Sequence, residues 1–181
     1  MTHLTEKTIS TESIFKGKVI SLQVDTVTLP NGNESKRELV KHPGAVAVIA
    51  VTDEGKIVLV NQYRKPLEKT ILEIPAGKID PGEAPIKTAA RELKEETGYD
   101  AKGLELVTSF YTSPGFADEI IYLYEAKGLL QGEANPDADE FVEVTEVTLE
   151  QAQALVEDQT IHDAKTAYAV MYLLLKQAQA K

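Results

Sequence analysis

The chain has 181 residues, 43% hydrophobic and 27% charged, the composition of an ordinary soluble globular protein able to bury a sizeable core. Its 29 acidic and 19 basic residues leave a net charge of −10, which argues against nucleic-acid or anionic-membrane partners, since both need clustered Lys and Arg. There is no cysteine to build a disulfide framework, no apolar run long enough to span a bilayer, and no secretory-type apolar segment in the polar start MTHLTEKTISTES, so the expected location is cytoplasmic. In chain order, residues 13–28 favour strands, Leu29-Pro30-Asn31-Gly32-Asn33 reads as a turn, and Lys36 to Lys41 resumes an extended pattern. Ala45 to Thr52 and Lys56 to Arg64 are β-rich runs joined by a tight Asp53-Glu54-Gly55 hairpin. Ile71 to Ile74 is a short strand entering Pro75-Ala76-Gly77. A helix is expected from about Ala84 to Thr97, with Gly98 as its C-cap. Leu104 to Tyr111, Glu119 to Ala126 and Phe141 to Thr148 follow as strands, then Leu149 to Glu157 and Asp163 to Ala178 as helices. Strands first and flanking helices later point to a mixed sheet covered by helices, an α+β or αβα sandwich.

The segment from Gly77 to Tyr99, GKIDPGEAPIKTAARELKEETGY, carries the chemistry. At 100° per residue, Ile86, Ala89, Ala90 and Leu93 share an arc expected to face the core. Glu92, Glu95 and Glu96 cluster on an adjoining face, and Lys87, Arg91 and Lys94 are expected on the opposite flank. Like charges one turn apart oppose each other by about 0.2–0.5 kcal/mol, but a hard cation that gathers their oxygens reverses the sign. Mg²⁺ is the natural candidate, because it binds carboxylate and phosphate oxygens in octahedral geometry while keeping waters. Taken alone, RELKEE is also what a solvated helix looks like.

The whole segment resembles the Nudix box: glycine, five residues, glutamate, seven residues, then Arg-Glu-apolar-x-Glu-Glu-x-Gly-apolar. Gly77, Glu83, Arg91, Glu92, Leu93, Glu95, Glu96 and Gly98 fill it without a gap, and Tyr99 is aromatic where an aliphatic is commoner. The resemblance implies a Nudix-type αβα sandwich at 41–181 (box 77–99), preceded by a β-rich segment at 1–40 that helps form a homodimer. It implies that Glu92 and Glu96 ligate the metal with the Ala76 carbonyl, and that Glu95 lies close by as a further catalytic candidate. Arg91 and Glu83 are expected to hold loop and helix together, while Gly77 and Gly82 let the loop fold back over the helix start.

Beyond the box, three features match the ADP-ribose pyrophosphatase subgroup. These are Pro114 in Ser113-Pro114-Gly115-Phe116, the N-terminal segment itself, and the acidic stretch Pro136 to Val144. In that stretch Glu140 matches the catalytic carboxylate that activates water, with Asp139 as the fallback. Arg64 stands where the subgroup places a phosphate-binding arginine. Arg37 and Glu38 are further substrate-contact candidates, with Glu73 behind them, and Gly77 and Pro114 line the expected site. An adenine-stacking residue is expected from the N-terminal segment. The implied activity is metal-dependent hydrolysis of ADP-ribose to AMP and ribose 5-phosphate, with Mg²⁺ as cofactor and Mn²⁺ as a substitute. The alternatives are another nucleoside-diphosphate sugar such as GDP-mannose, or a non-catalytic module that senses ADP-ribose. An intact box and the lack of any helix-turn-helix weigh against the last.

Overall fold

In the computed structural model, which describes residues 2–132 and 141–180, the N-terminal strand signal resolves into a hairpin. Strand β1 (Lys7–Lys16) pairs antiparallel with β2 (Ser21–Thr28), Lys16 lying opposite Ser21. The stretch 13–28, expected to favour strands, divides at Gly17, whose N–H donates to the Ile20 carbonyl at 2.9 Å. A Cβ on Gly17 would lie 2.7 Å from the Phe15 ring, so any larger residue would have to turn that exposed ring aside. Pairing also starts earlier than expected, at Lys7, because Thr8, Ile9 and Thr11 are β-branched and suit a pleated edge.

After the expected turn at residues 29–33, β3 (Glu34–Lys41) pairs with β2, with Arg37 opposite Asp25. The Ser113–Phe116 turn is tied to this sheet. The N–H groups of Phe116 and Ala117 donate to the Ser113 carbonyl at 3.1 and 2.9 Å, and the Val40 N–H donates to the Phe116 carbonyl at 2.8 Å. Asp118 then accepts from the Lys41 ammonium and the His42 N–H, both at 2.9 Å. Residues up to Gly44 together with Phe110–Ile121 make one compact unit; Ala45–Ser109 and the chain from Tyr122 onward make the second.

The second unit contains β4 (Ala45–Ile49), β5 (Ile57–Arg64), β6 (Lys69–Glu73), β7 (Ala76–Lys78) and α1 (Pro85–Thr97). Strands β8 (Tyr99–Tyr111), β9 (Ile120–Gln131) and β10 (Val142–Val147) follow, then α2 (Leu149–Glu157) and α3 (Ala164–Gln179). Its sheets run β10-β5-β6 and β7-β4-β9-β8. On β4, Val46 and Val48 point with Ala50 into a core shared with Ala89 and Leu93 of α1, while Ala47 and Ile49 of the alternate face are just as inaccessible. A strand sealed on both faces is what a layered α+β architecture requires. Each buried Val, Ile or Leu side chain contributes about 1.5–3 kcal/mol by leaving water.

The helix ends follow from local chemistry. Pro85 occupies the first turn of α1, where its missing N–H costs nothing, and Gly98 closes the helix at φ 76°, its N–H on the Lys94 carbonyl at 2.8 Å. Thr148 and Gln151 cap α2 reciprocally, and Asp163 caps α3 by accepting from the Lys165 and Thr166 N–H groups. Among the described residues no helix is long and apolar enough to cross a membrane.

The apolar arc expected on α1 is turned from its expected place. Ala89 and Leu93 are buried, but Ile86 is 47% exposed and Ala90 is exposed, while Glu92 and Glu96 are at 7% and 2%. The buried stripe runs Thr88, Ala89, Glu92, Leu93, Glu96, Thr97. Contact of α1 with β4 and β7 covers the glutamate side and leaves the Ile86 end bare. Arg91 is likewise not on an opposite flank; it reaches across to the glutamates.

Candidate active site

Two carboxylates buried on consecutive turns of one helix need compensation, because an unpaired charge in an apolar setting is costly. The fold supplies it locally. The Ala76 N–H, at the start of β7, donates to Glu96 Oε2 at 3.0 Å. Arg91 Nη1 donates to Glu92 Oε1 at 2.9 Å and to Glu95 Oε2 at 2.8 Å, while its Nη2 holds Glu83 Oε2 at 3.2 Å. Burial works against the charged Arg91 guanidinium, but the Glu83 hydrogen bond and the Glu92 and Glu95 charges outweigh it and the pKa is raised. Glu83 in turn is held below the usual carboxylate range by Arg91 and by the Thr88 hydroxyl, which donates to it at 2.8 Å. The loop before α1 and the helix itself are thus joined by one arginine.

Gly77 is where backbone and carboxylate come closest. A Cβ there would fall 1.9 Å from the Glu92 carboxyl carbon and 2.0 and 2.4 Å from its oxygens. Only hydrogen leaves the Glu92 carboxylate that place. Gly77→Ala is expected to push Glu92 aside and lower kcat/KM by about 10–100-fold, the usual scale when support around a metal ligand is lost. The check is kinetics as a function of Mg²⁺ concentration, with circular dichroism to establish that β7 and α1 persist; unchanged kinetics would show that Glu92 has no fixed role.

These oxygens fit a hard divalent cation. Carboxylate oxygens one turn apart, in a cradle left open by the missing Cβ of Gly77, are donors that Mg²⁺ or Mn²⁺ prefers. Among the described residues no three acidic or histidine side chains already converge into a metal cage. Mg²⁺ ordinarily takes one or two carboxylates and fills its shell with waters and substrate phosphate.

Beside this face lies a second charged network. Arg64, at the end of β5, grips Glu73 of β6 side-on, Nε to Oε1 at 2.7 Å and Nη2 to Oε2 at 2.9 Å. Burial pushes the Glu73 carboxyl upward, but the Arg64 hydrogen bonds and the Lys165 ammonium outweigh it, and its pKa ends below the ordinary glutamate range. Arg64 is raised, first by the Glu73 hydrogen bond and also by the charges of Glu73, Glu96 and Asp163. Lys165 and Asp163 carry no signal of this role in the sequence, where Asp163 only begins an expected helix.

In the first unit, Arg37, Glu38, Gly115 and Phe116 line a cleft of about 490 Å³ with Glu12, Val24 and Lys36. The Pro114 turn and the two N-terminal candidates, read separately in the sequence, therefore meet. Arg37 is already engaged: Nε and Nη2 donate to the Glu6 carboxylate at 2.9 and 2.6 Å. That pairing was not foreseen. Glu140 and Asp139 lie outside the described residues.

The NUDIX domain model matches residues 41–169, and the nucleoside diphosphate sugar hydrolase N-terminal domain matches residues 6–40. The chain is 64% identical over 180 residues to an ADP-ribose pyrophosphatase of Bacillus subtilis (strain 168), covering 98% of this chain and 97% of that one. It is 61% identical over 175 residues to a methanol dehydrogenase activator of Bacillus methanolicus, covering 96% and 95%. A crystal structure of an ADP compounds hydrolase superposes with TM-score 0.83 at 22% identity, covering 97% of this chain and 95% of that one, a likeness of fold.

Proposed function

The chain belongs to the Nudix hydrolase family, and from that premise we propose that it hydrolyses the diphosphate of ADP-ribose to AMP and ribose 5-phosphate. The observation that carries the reading is the buried Glu92–Glu96 pair under Gly77, in a chain 64% identical to an ADP-ribose pyrophosphatase. Glu92, Glu96 and the Ala76 carbonyl would hold a divalent cation, Mg²⁺ with Mn²⁺ as a substitute. When bound, it supplies Lewis-acid polarisation of phosphorus and a lowered pKa for the attacking water. Arg64 holds a phosphate through the guanidinium edge that Glu73 leaves open, since its planar fork suits two oxygens. Arg91 keeps Glu92 and Glu95 in place. Glu140 accepts the proton of the water whose oxygen attacks phosphorus, and the anhydride oxygen leaves with the other product.

The test is a hydrolysis panel over ADP-ribose, GDP-mannose and other nucleoside-diphosphate sugars with Mg²⁺ and with Mn²⁺, with products identified. Preference for ADP-ribose is expected; preference for GDP-mannose would move the reading to that substrate, and ADP-ribose binding without turnover would make the chain a sensor. The identity to a methanol dehydrogenase activator favours a second reading, that the chain also stimulates an alcohol dehydrogenase. Assaying a methanol dehydrogenase with and without the protein decides it, and no change in rate would remove that reading.

We also propose that the N-terminal hairpin contributes to a homodimer, because Ile9, Ile14 and Phe15 of β1 are exposed apolar residues. Light scattering is expected to give twice the chain mass for the full chain, and monomer or insoluble protein without residues 1–40. A fully active monomer lacking them would refute the proposal.

A further inference from the structure

We propose that Lys165 is a positioning residue for substrate binding, which holds Arg64 in its phosphate-binding geometry by acting on Glu73. Lys165 lies in the first turn of α3, where a cation opposes the helix macrodipole, so helix stability does not account for it. Its ammonium is instead drawn inward. It contacts Glu73 Oε2 and lies 3.0 Å from Asp163 Oδ1, with its side chain only 11% exposed. The chain continues through Glu73, itself 1% exposed, whose two oxygens take the Nε and Nη2 edge of Arg64. That side-on grip sets the plane of the guanidinium and turns its Nη1 edge away from Glu73. Both hydrogen bonds to Glu73 use Nε and Nη2, and the Arg64 side chain is 38% exposed. Lys165 is too enclosed to meet a substrate itself, so its effect passes through Glu73.

Charge makes the same point. Arg64, Lys165, Glu73 and Asp163 sum to zero. Without Lys165 the set is net negative and lies close to Glu96, a poor setting for a diphosphate. Among the described residues nothing hydrogen-bonds the buried Asp163 Oδ2, so losing the lysine would leave that carboxylate less compensated still.

The inference rests on the hydrolase reading and on Arg64 as a phosphate contact, and its test separates the three. Lys165→Gln, Lys165→Arg, Arg64→Ala and the double variant Arg64→Ala/Lys165→Gln are assayed on the nucleoside-diphosphate sugar that wild type cleaves fastest, with Tm followed in parallel. For Lys165→Gln we expect KM to rise about tenfold, as when a residue supporting a ligand-binding group is lost, with kcat nearly unchanged, the mark of lost binding rather than lost chemistry. Lys165→Arg returns a cation to the same carboxylates and should recover most of KM. The double variant should bind no worse than Arg64→Ala, because Lys165 acts through that arginine. A lowered Tm with KM unchanged would reduce Lys165 to a stabilising contact and overturn the proposal, as would additive effects in the double variant. If Arg64→Ala leaves KM unchanged, the arginine is not a phosphate contact and the proposal falls with it. If wild type cleaves none of the panel, the hydrolase reading fails by itself, and the same variants are compared by calorimetric Kd for ADP-ribose, where a tenfold weakening in Lys165→Gln supports the proposal and an unchanged Kd ends it.

Discussion

Glu92→Gln and Glu96→Gln are each expected to lower kcat/KM by about 10²–10³-fold, the scale of several kcal/mol of lost charge stabilisation at phosphorus. Glutamine keeps the shape of the side chain and, at position 96, an oxygen able to accept the Ala76 N–H. What it removes is the negative charge that a divalent cation requires. The substitution has to be isosteric because both residues lie within the buried stripe of α1, not beside it, and truncation to alanine would open a cavity under β7. Thermal unfolding therefore accompanies the kinetics, and an active-site loss should appear with Tm little changed. Exhaustive chelation should abolish turnover of the wild type, and readdition of Mg²⁺ should restore it. Turnover that survives chelation would remove the metal from the mechanism and these glutamates with it.

Glu140→Gln is expected to lower kcat by about 10²–10⁴-fold with KM little changed, as when a positioned general base is lost. Glu92 and Glu95 accept from Arg91, and Glu96 accepts from the Ala76 N–H, so the box carboxylates are tied to the helix and the loop before it. Those that hold a cation have still less freedom to take a proton from water. The base then comes from outside the box, and the acidic stretch before β10 is where the family resemblance puts it. Loss of binding with kcat preserved would assign Glu140 to recognition. If Glu140→Gln is silent and Asp139→Asn is severely impaired, the base stands one residue earlier. If both are silent, Glu95 becomes the base, and its bond to Arg91 must break during turnover.

Much of the site could be read before any fold was known, because its information is local. The spacing from Gly77 to Tyr99 specifies a loop, a helix and a C-cap within 23 residues, and the helix ends within a residue of where Ala84 and Gly98 place them. The turns at Gly32 and Gly55 likewise depend only on residues that are neighbours in the chain. The strands expected to form a hairpin across Gly55, however, do not pair beyond the Val51–Ile57 bridge, since β4 and β5 belong to different sheets. Residues 13–28 favour strands without a marked boundary, and the β1–β2 turn falls at Gly17, the one local break in that stretch.

What the tertiary structure decided is which side of each element is covered and which distant charges meet. Periodicity gives the angle of a residue about α1, but β4 and β7 decide which angles are sealed, and they seal Glu92 and Glu96 while leaving Ile86 bare. Arg37 reads as a substrate-contact candidate, and only the fold shows that Glu6, 31 residues away, is paired with it. Nothing in the sequence around Lys165 signals that Glu73, 92 residues earlier, lies beside it. A local motif is written in adjacent residues because a single helix and its loop enforce its geometry. An ion pair between distant strands and helices has no such record, since the packing of the core brings its partners together.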